Sequence, residues 1–200
     1  MKIKVIHLSK ILLFLTLLVT LLTVGISIVI ATSEDYIEVP IIMYHSILKD
    51  SSRSNKYTVT PAVLEEDLKY IKDKGYTTVT IADLISYVYD NKPLPEKPIV
   101  LTFDDGHYNN YGYLFPLLEK YDMKAVISIV GSYTDKFTET DEANLNYSYL
   151  RWKDIKELMD TGRIEFQNHT YNLHSNTGKR IGTKKIKGET DEHYKSIFKR

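Results

Sequence analysis

Short apolar segments alternate with amphipathic segments along most of this chain, and that alternation limits the folds it can adopt. Residues 39–45 (VPIIMYH) and 99–103 (IVLTF) are continuous apolar runs, as expected of strands buried on both faces. Between them, residues 60–75 carry Pro61 near the start, large apolar residues at helical spacing, and Gly75 at the end. Strands separated by helices pair in parallel through right-handed crossovers, so the sequence predicts an α/β fold.

The same pattern continues toward the C-terminus. Strands are predicted at residues 39–45, 76–80, 99–103, 124–131 and 163–169, and helices at residues 60–75, 81–90, 111–122 and 150–162. Pro116 falls inside the third helix and predicts a kink or a restart there. A closed eight-stranded barrel typically needs about 250 residues, so we expect an open or incomplete sheet. Residues 191–200 (DEHYKSIFKR) read as the first turns of a helix, and we expect the domain to be truncated at its C-terminus.

The N-terminal region has a different character. Residues 11–31 contain no charged side chain, and at about 1.5 Å per residue they reach across a ~30 Å hydrocarbon core. Lysines precede this segment and acidic residues follow it, which predicts a cytoplasmic segment 1–10, a transmembrane anchor 11–31, a stalk 32–37 and an external domain 38–200. The alternative is a cleaved signal segment, which would release the domain from the cell membrane.

Composition excludes several kinds of site. The chain has no cysteine, so a metal must be held by His, Asp or Glu, and disulfides are excluded. Its formal net charge is zero and it has no basic stripe, so no nucleic-acid partner is predicted. The oligomeric state is not indicated by the sequence.

Ionisable side chains lie at or just after the C-terminal ends of three of the predicted strands. They are Tyr44 and His45, Asp104 and Asp105, and His169 with His174 five residues later. Because the carboxyl ends of parallel strands meet at one edge of a sheet, we expect these groups to lie together. A carboxylate and two imidazoles form a common ligand set for catalytic zinc, with the fourth position left for water. A cation would relieve the repulsion between adjacent carboxylates and leave one of them free to take a proton.

The remaining histidines divide by context. His45 is expected to be either a buried histidine beside the site or, with Tyr44, a substrate contact. His107 and His193 are expected to be solvated.

Two motifs carry a resemblance. The segments TFDDG (102–106) and HTYNLH (169–174) resemble the polysaccharide deacetylase family, the NodB-homology domain of carbohydrate esterase family 4. The resemblance covers residues 38–200 and implies a distorted (β/α) barrel that removes acetyl groups from N-acetylated sugars with a divalent metal, usually Zn²⁺. It implies that Asp104 is the general base and that Asp105, His169 and His174 bind the metal. With an external domain, the implied substrate is a cell-envelope polysaccharide that carries N-acetylglucosamine or N-acetylmuramic acid.

The sequence departs from the family pattern at two points. The two histidines are five residues apart instead of the common four, so a loop or bulge must bring them together. The later family motifs, namely an Arg, an aromatic-acidic segment and a general-acid His, are not found, which predicts slow or absent turnover. Two alternatives therefore stay open. One is a membrane-tethered polysaccharide-binding module, and the other is a metal-independent glycosidase that pairs Asp104 or Asp105 with Glu165.

Overall fold

The computed structural model describes residues 8–32, 37–175 and 177–198, and the chain divides into two compact units, residues 1–38 and 39–200. The first unit contains one helix, α1 (Leu8–Thr32), over the predicted apolar segment. No helix in the described part of the chain is both long and apolar enough to cross a membrane. The predicted anchor stays a prediction. Residues 1–7 of the predicted cytoplasmic segment and residues 33–36 of the predicted stalk lie outside the described residues.

The second unit is built around a parallel sheet. The strands of this unit are β1 (Ile41–Tyr44), β2 (Ser46–Ile47), β3 (Thr58–Val59), β4 (Thr77–Thr78), β5 (Pro98–Asp105), β6 (Ala125–Val130) and β7 (Ile164–Thr170). Strands β1 and β4 both pair with β5, β5 pairs with β6, and β6 pairs with β7, all in parallel. Strands β2 and β3 form a separate parallel pair. The predicted parallel α/β arrangement is confirmed, and within the described residues the sheet stays open.

Among the described residues, Ser51–Arg53 form one short 3-10 helix, and six further α-helices connect or follow these strands. They are α2 (Pro61–Asp73), α3 (Ile81–Asp90), α4 (Phe115–Tyr121), α5 (Gly131–Thr140), α6 (Trp152–Asp160) and α7 (Asp191–Ser196). The Thr60 hydroxyl caps α2, and Thr80 and Asp83 form a reciprocal capping box at α3. Before α4, residues Asn110–Leu114 form a π-helical turn, and Pro116 lies in the first turn of the α-helix that follows. The restart predicted at this proline is confirmed.

Helix α5 was not predicted, because its sequence shows little helical periodicity. Its inward face is made by Gly131, Thr134 and Phe137, of which only the last is a large apolar residue. A Cβ atom at Gly131 would lie 2.8 Å from Cδ2 of Tyr171, so the close approach of α5 to the segment after β7 requires glycine.

The main core lies between the sheet and the helices α2, α4 and α6. Sheet residues such as Leu101, Phe103 and Ile127 pack there against buried leucines of the helices, including Leu68 and Leu158. Burying each such side chain contributes about 1.5–3 kcal/mol, so this layer fixes the sheet against the helices. The carboxyl ends of β5 and β7 are thereby held at one edge, with β6 between them.

Candidate active site

The chain turns sharply where β5 ends. Asp105 and Gly106 both have left-handed backbone conformations, with φ of +73° and +72°. A Cβ atom on Gly106 would lie 2.9 Å from Cγ2 of Ile129 on β6, so only glycine fits this position without displacement. Left-handed backbone at a residue other than glycine is uncommon and is concentrated at functional sites. The turn holds Asp105 at the sheet edge with its side chain buried.

A bulge near the end of β7 places the first histidine. Ile129 is opposite Asn168, and Val130 is opposite Thr170, so His169 is an extra residue in the register. Beyond the strand, the backbone N–H of Leu173 donates to Oγ1 of Thr170 at 3.0 Å and turns the chain back. The rings of His169 and His174 come within 5.1 Å of each other, centroid to centroid. The five-residue spacing predicted a loop or a bulge, and the structure has a bulge at His169 followed by a turn at residues 170–173.

Asp105, His169 and His174 form one cluster. Nε2 of His174 lies 2.9 Å from Oδ1 of Asp105, and Nε2 of His169 lies 3.7 Å from the same oxygen. One potential ligand atom from each residue lies within 4.8 Å of the others. The two imidazoles are about one-third exposed, so the cluster is reached from solvent.

The electrostatics of Asp105 favour its anionic form. Burial raises the pKa of this carboxyl, but the contacts with His107, His174 and His45 outweigh burial and leave the pKa below its usual value. Its Oδ1 atom is nonetheless buried without a hydrogen-bond partner among the described residues. A buried anionic oxygen that faces two imidazole nitrogens fits a divalent cation, because the cation would satisfy all three donor atoms.

Asp104 is placed differently from its neighbour. It lies opposite Ser128 in the register of β5 and β6, and its side chain is half-buried. It is not one of the three clustered residues, and within the described residues its side chain forms no hydrogen bond or ion pair. Its carboxylate oxygens are therefore uncommitted and available to accept a proton.

A cleft of about 630 Å³ opens beside the cluster. Asp105, His174, His45, His107 and Tyr149 are among the residues that line it. The predicted contact His45 therefore faces the cleft. The cleft is also lined by Tyr57 and Tyr147, which are 51% and 55% exposed and present open aromatic surface to a ligand.

The other predicted contact, Tyr44, is not among the cleft-lining residues. Its hydroxyl donates to Oδ2 of Asp67 on α2 at 2.9 Å, and its ring stacks on Phe103 at 5.0 Å. Burial and Asp67 raise the pKa of Tyr44, so the hydroxyl stays a donor to α2. The structure thus brings His45, but not Tyr44, to the cleft.

The prediction that His107 is solvated is wrong. Its side chain is only 19% exposed, and its Nε2 lies 3.6 Å from Oδ2 of Asp105. The reason is the left-handed turn at residues 105–106, which returns the chain over Asp105. His193 is exposed as predicted, with its side chain 67% accessible beside Glu189.

Sequence reasoning also missed two residues in the loop before α6. Tyr149 packs between His107 and Tyr133, and burial together with the charge of Asp105 raises the pKa of its hydroxyl to about 12. Arg151 holds this loop by ion pairs to Asp154 at 2.7 Å and to Asp141 at 2.8 Å. The available signal was the Arg-x-x-Asp spacing at a helix start.

Glu165, the proposed partner in a two-carboxylate glycosidase, is engaged elsewhere. Its Oε2 accepts from the backbone N–H of Ala82 at the start of α3, at 2.9 Å, and its Oε1 accepts from Gln167 at 2.6 Å. It does not line the cleft that contains Asp105.

Two kinds of comparison place this geometry among solved and curated proteins. The fold is similar to a de-N-acetylase from Aggregatibacter actinomycetemcomitans, with a TM-score of 0.66, 26% identity, and coverage of 80% of this chain and 69% of that chain. The sequence is 30% identical over 138 residues to the poly-beta-1,6-N-acetyl-D-glucosamine N-deacetylase of Escherichia coli (strain K12). This alignment covers 66% of this chain and 20% of that protein. The sequence is 28% identical to the protein of the same name from Staphylococcus epidermidis, and that alignment covers 68% of this chain and 45% of that protein.

The chain thus spans less than half the length of these curated relatives. The model of the polysaccharide deacetylase family matches residues 91–199, more than half of the chain. That match includes both motifs that build the cluster, TFDDG and HTYNLH. With the strand order and the Asp-His-His geometry, it establishes that this chain belongs to the polysaccharide deacetylase family.

Proposed function

We propose that this chain carries a metal-dependent catalytic site that removes acetyl groups from an N-acetylated polysaccharide. The observation that carries the proposal is the buried Oδ1 of Asp105, which accepts no hydrogen bond among the described residues and faces Nε2 of His169 and His174 at the edge of an open cleft. These three residues would hold a divalent cation, and their donor set suits Zn²⁺. The assignment of the cation to zinc is part of the proposal.

A cation in this position supplies Lewis-acid chemistry, namely polarisation of the acetamide carbonyl and a lower pKa for a water molecule. The chain's own residues do the rest. Asp104 has an uncommitted carboxylate and takes the proton of the attacking water as general base. Tyr149 lines the cleft, and its protonated hydroxyl can donate a hydrogen bond to substrate. A general acid must also protonate the leaving amine.

The substrate class follows from the cleft and from the relatives. Two similar proteins are named poly-beta-1,6-N-acetyl-D-glucosamine N-deacetylases. The exposed rings of Tyr57 and Tyr147 offer flat apolar surface to the faces of sugar rings. A polymer of N-acetylglucosamine is therefore the proposed substrate.

The location of the domain is a separate part of the proposal. The uncharged segment 11–31, with lysines before it and acidic residues after it, supports a domain held at the outer face of a cell membrane. This placement would give the site access to a cell-envelope polymer.

The test combines metal analysis with acetate release by the purified full chain on a β-1,6-linked N-acetylglucosamine oligomer. We expect about one equivalent of metal and acetate release that stops on chelation and returns with Zn²⁺. The substitution Asp104→Asn should keep the metal and lower the rate about 10²- to 10⁴-fold, whereas Asp105→Asn should lose the metal. The exposed Asp122→Asn is the matched control.

Two results would contradict the proposal. Acetate release that persists under chelation would exclude the metal role. Polymer binding without acetate release, unchanged by Asp104→Asn, would instead support the binding-module alternative.

A further inference from the structure

The Asp105 carboxylate is contacted on both of its oxygens, and one of these contacts is not used by the proposed chemistry. Oδ1 faces the imidazoles of His169 and His174. Oδ2 lies 3.6 Å from Nε2 of His107, a third imidazole outside the three-residue cluster. Each carboxylate oxygen therefore has its own imidazole neighbours.

The backbone of His107 is fixed by the loop before α6. The N–H of Leu150 donates to the carbonyl of Gly106 at 2.8 Å, and the N–H of Tyr108 donates to the carbonyl of Ser148 at 2.8 Å. These two bonds form an antiparallel bridge in which His107 lies opposite Tyr149. The bridge holds residue 107 beside the Asp105–Gly106 turn.

The orientation of the His107 ring is set by its packing against Tyr149. It stacks on Tyr149 with centroids 4.8 Å apart and an angle of 26° between the planes. Stacking fixes the plane of the imidazole and leaves its Nε2 edge toward Asp105. Because the side chain is only 19% exposed, water has little access to compete for that edge.

We propose that His107 is a positioning residue that holds Oδ2 of Asp105, so that Oδ1 is presented to the cation between His169 and His174. This inference rests on the proposed function, because it requires a metal at that cluster. The separation of 3.6 Å between Nε2 of His107 and Oδ2 of Asp105 is an ion-pair distance and longer than a hydrogen bond. Polar groups that contact a metal-binding carboxylate from outside orient it and tune metal affinity. Without the contact, the carboxylate rotates about its Cβ–Cγ bond and the cation meets a mixture of orientations.

Two substitutions separate the nitrogen donor from the ring. His107→Phe keeps a flat ring for Tyr149 and removes the nitrogen. His107→Gln places an amide nitrogen at the same number of bonds from Cα as Nε2 of histidine. We expect His107→Phe in the full chain to bind Zn²⁺ about 10- to 100-fold more weakly in competition with a chromophoric chelator, and His107→Gln to recover most of that loss. His193→Phe, at an exposed site, is the control and should bind as the wild type does.

A second readout distinguishes positioning from simple packing. The visible absorption of the Co²⁺-loaded chain reports ligand geometry, and we expect it to change in His107→Phe and to return toward wild type in His107→Gln. Thermal unfolding of the chelated variants reports any loss of fold. If His107→Phe does not fold, the pair His107→Gln and His107→Met, which differ in the amide donor, gives the same comparison.

The outcomes are distinct. Equal Zn²⁺ affinity and equal Co²⁺ spectra in the wild type and the donor-free variants would overturn the role of His107 and leave the proposed function intact. A wild-type chain that binds neither metal would overturn the metal site itself, and this inference with it.

Discussion

His174 Nε2 lies 2.9 Å from Asp105 Oδ1, although Asp105 ends β5, His174 follows β7, and β6 runs between these two strands. The left-handed turn at Asp105 and Gly106 and the turn between Thr170 and Leu173 lie on either side of this contact. The same carboxylate oxygen is buried and accepts no hydrogen bond among the described residues.

We expect a divalent cation to stabilise the folded chain through this cluster. A ligand present at 100 times its dissociation constant adds about 2.7 kcal/mol to the free energy of unfolding, which corresponds to a rise in Tm of about 5–10 °C for a domain of this size. Thermal unfolding with Zn²⁺ and with a chelator measures the difference. His174→Ala should remove most of it, and His193→Ala should not. Identical Tm values for the wild type in both buffers would contradict this expectation.

Gly106→Ala should disturb the turn that presents Asp105. The added Cβ would lie 2.9 Å from Cγ2 and 3.3 Å from Cα of Ile129, in a backbone conformation with φ of +72°. We expect the free energy of unfolding to fall by about 2–4 kcal/mol, because the substitution adds left-handed backbone strain and overpacking.

The control for this prediction is Gly162→Ala. Gly162 also has a positive φ, of +69°, but a Cβ atom added there would have no neighbouring atom within 4 Å. It should lose only about 1–2 kcal/mol from strain. Urea unfolding compares the two variants, and equal losses would show that contact with Ile129 is unimportant.

Arg151→Met should destabilise the loop that carries Tyr149. The Arg151 and Asp154 side chains are 11% and 5% exposed, so the substitution leaves a buried carboxylate without its cationic partner. Breaking a buried pair in this way costs about 3–5 kcal/mol. Lys153→Met, which removes an exposed partner of Asp141, should cost less than about 1 kcal/mol. Denaturant titration of both variants measures the contrast, and similar values would argue against a structural role for Arg151.

The Asp83 carboxylate at the start of α3 should contribute to the free energy of unfolding in a pH-dependent way, and Asp83→Ala should remove that contribution. Burial raises the pKa of Asp83, but hydrogen bonds with Thr80 and the nearby Lys124 outweigh it and place the pKa below the unfolded value of 3.8. The carboxylate therefore stabilises the fold above pH 3.8, and this contribution is lost as the pH falls through the lower folded-state pKa.

At neutral pH we expect Asp83→Ala to cost about 0.5–1 kcal/mol, as for other capping interactions. The difference in free energy of unfolding between the wild type and Asp83→Ala should become smaller in unfolding curves recorded below the unfolded pKa of Asp83. Thr80→Ser keeps the capping hydroxyl and should follow the wild type at every pH. If the difference in free energy of unfolding between the two proteins stays constant into strong acid, the lower stability of Asp83→Ala comes from helix propensity alone.

Most of the sheet could be predicted from the sequence. Strands β5 and β6 contain apolar runs that need no tertiary information to recognise, and β7 begins with apolar residues at alternate positions, Ile164 and Phe166. Helix α5 could not be predicted in the same way. Its buried face uses Gly131 and Thr134, whose suitability depends on the neighbouring segment that packs on them.

The site shows the same division. The motifs around Asp105, His169 and His174 were recognisable, and the structure brings these three together. The position of His107 could not be predicted, because it depends on two successive left-handed residues, Asp105 and Gly106. Aspartate adopts that conformation more readily than most residues, but the sequence does not show where it does so. Tyr149 reaches the cleft through a backbone bridge to residue 107, which has no local sequence signature.

The extra residue at His169 decides which residue of β7 lies opposite the end of β6. With it, Thr170 lies opposite Val130; without the bulge, His169 would take that place. His169 therefore reaches Asp105 from outside the regular pairing of the sheet, and its distance along the chain to His174 is counted from the bulge.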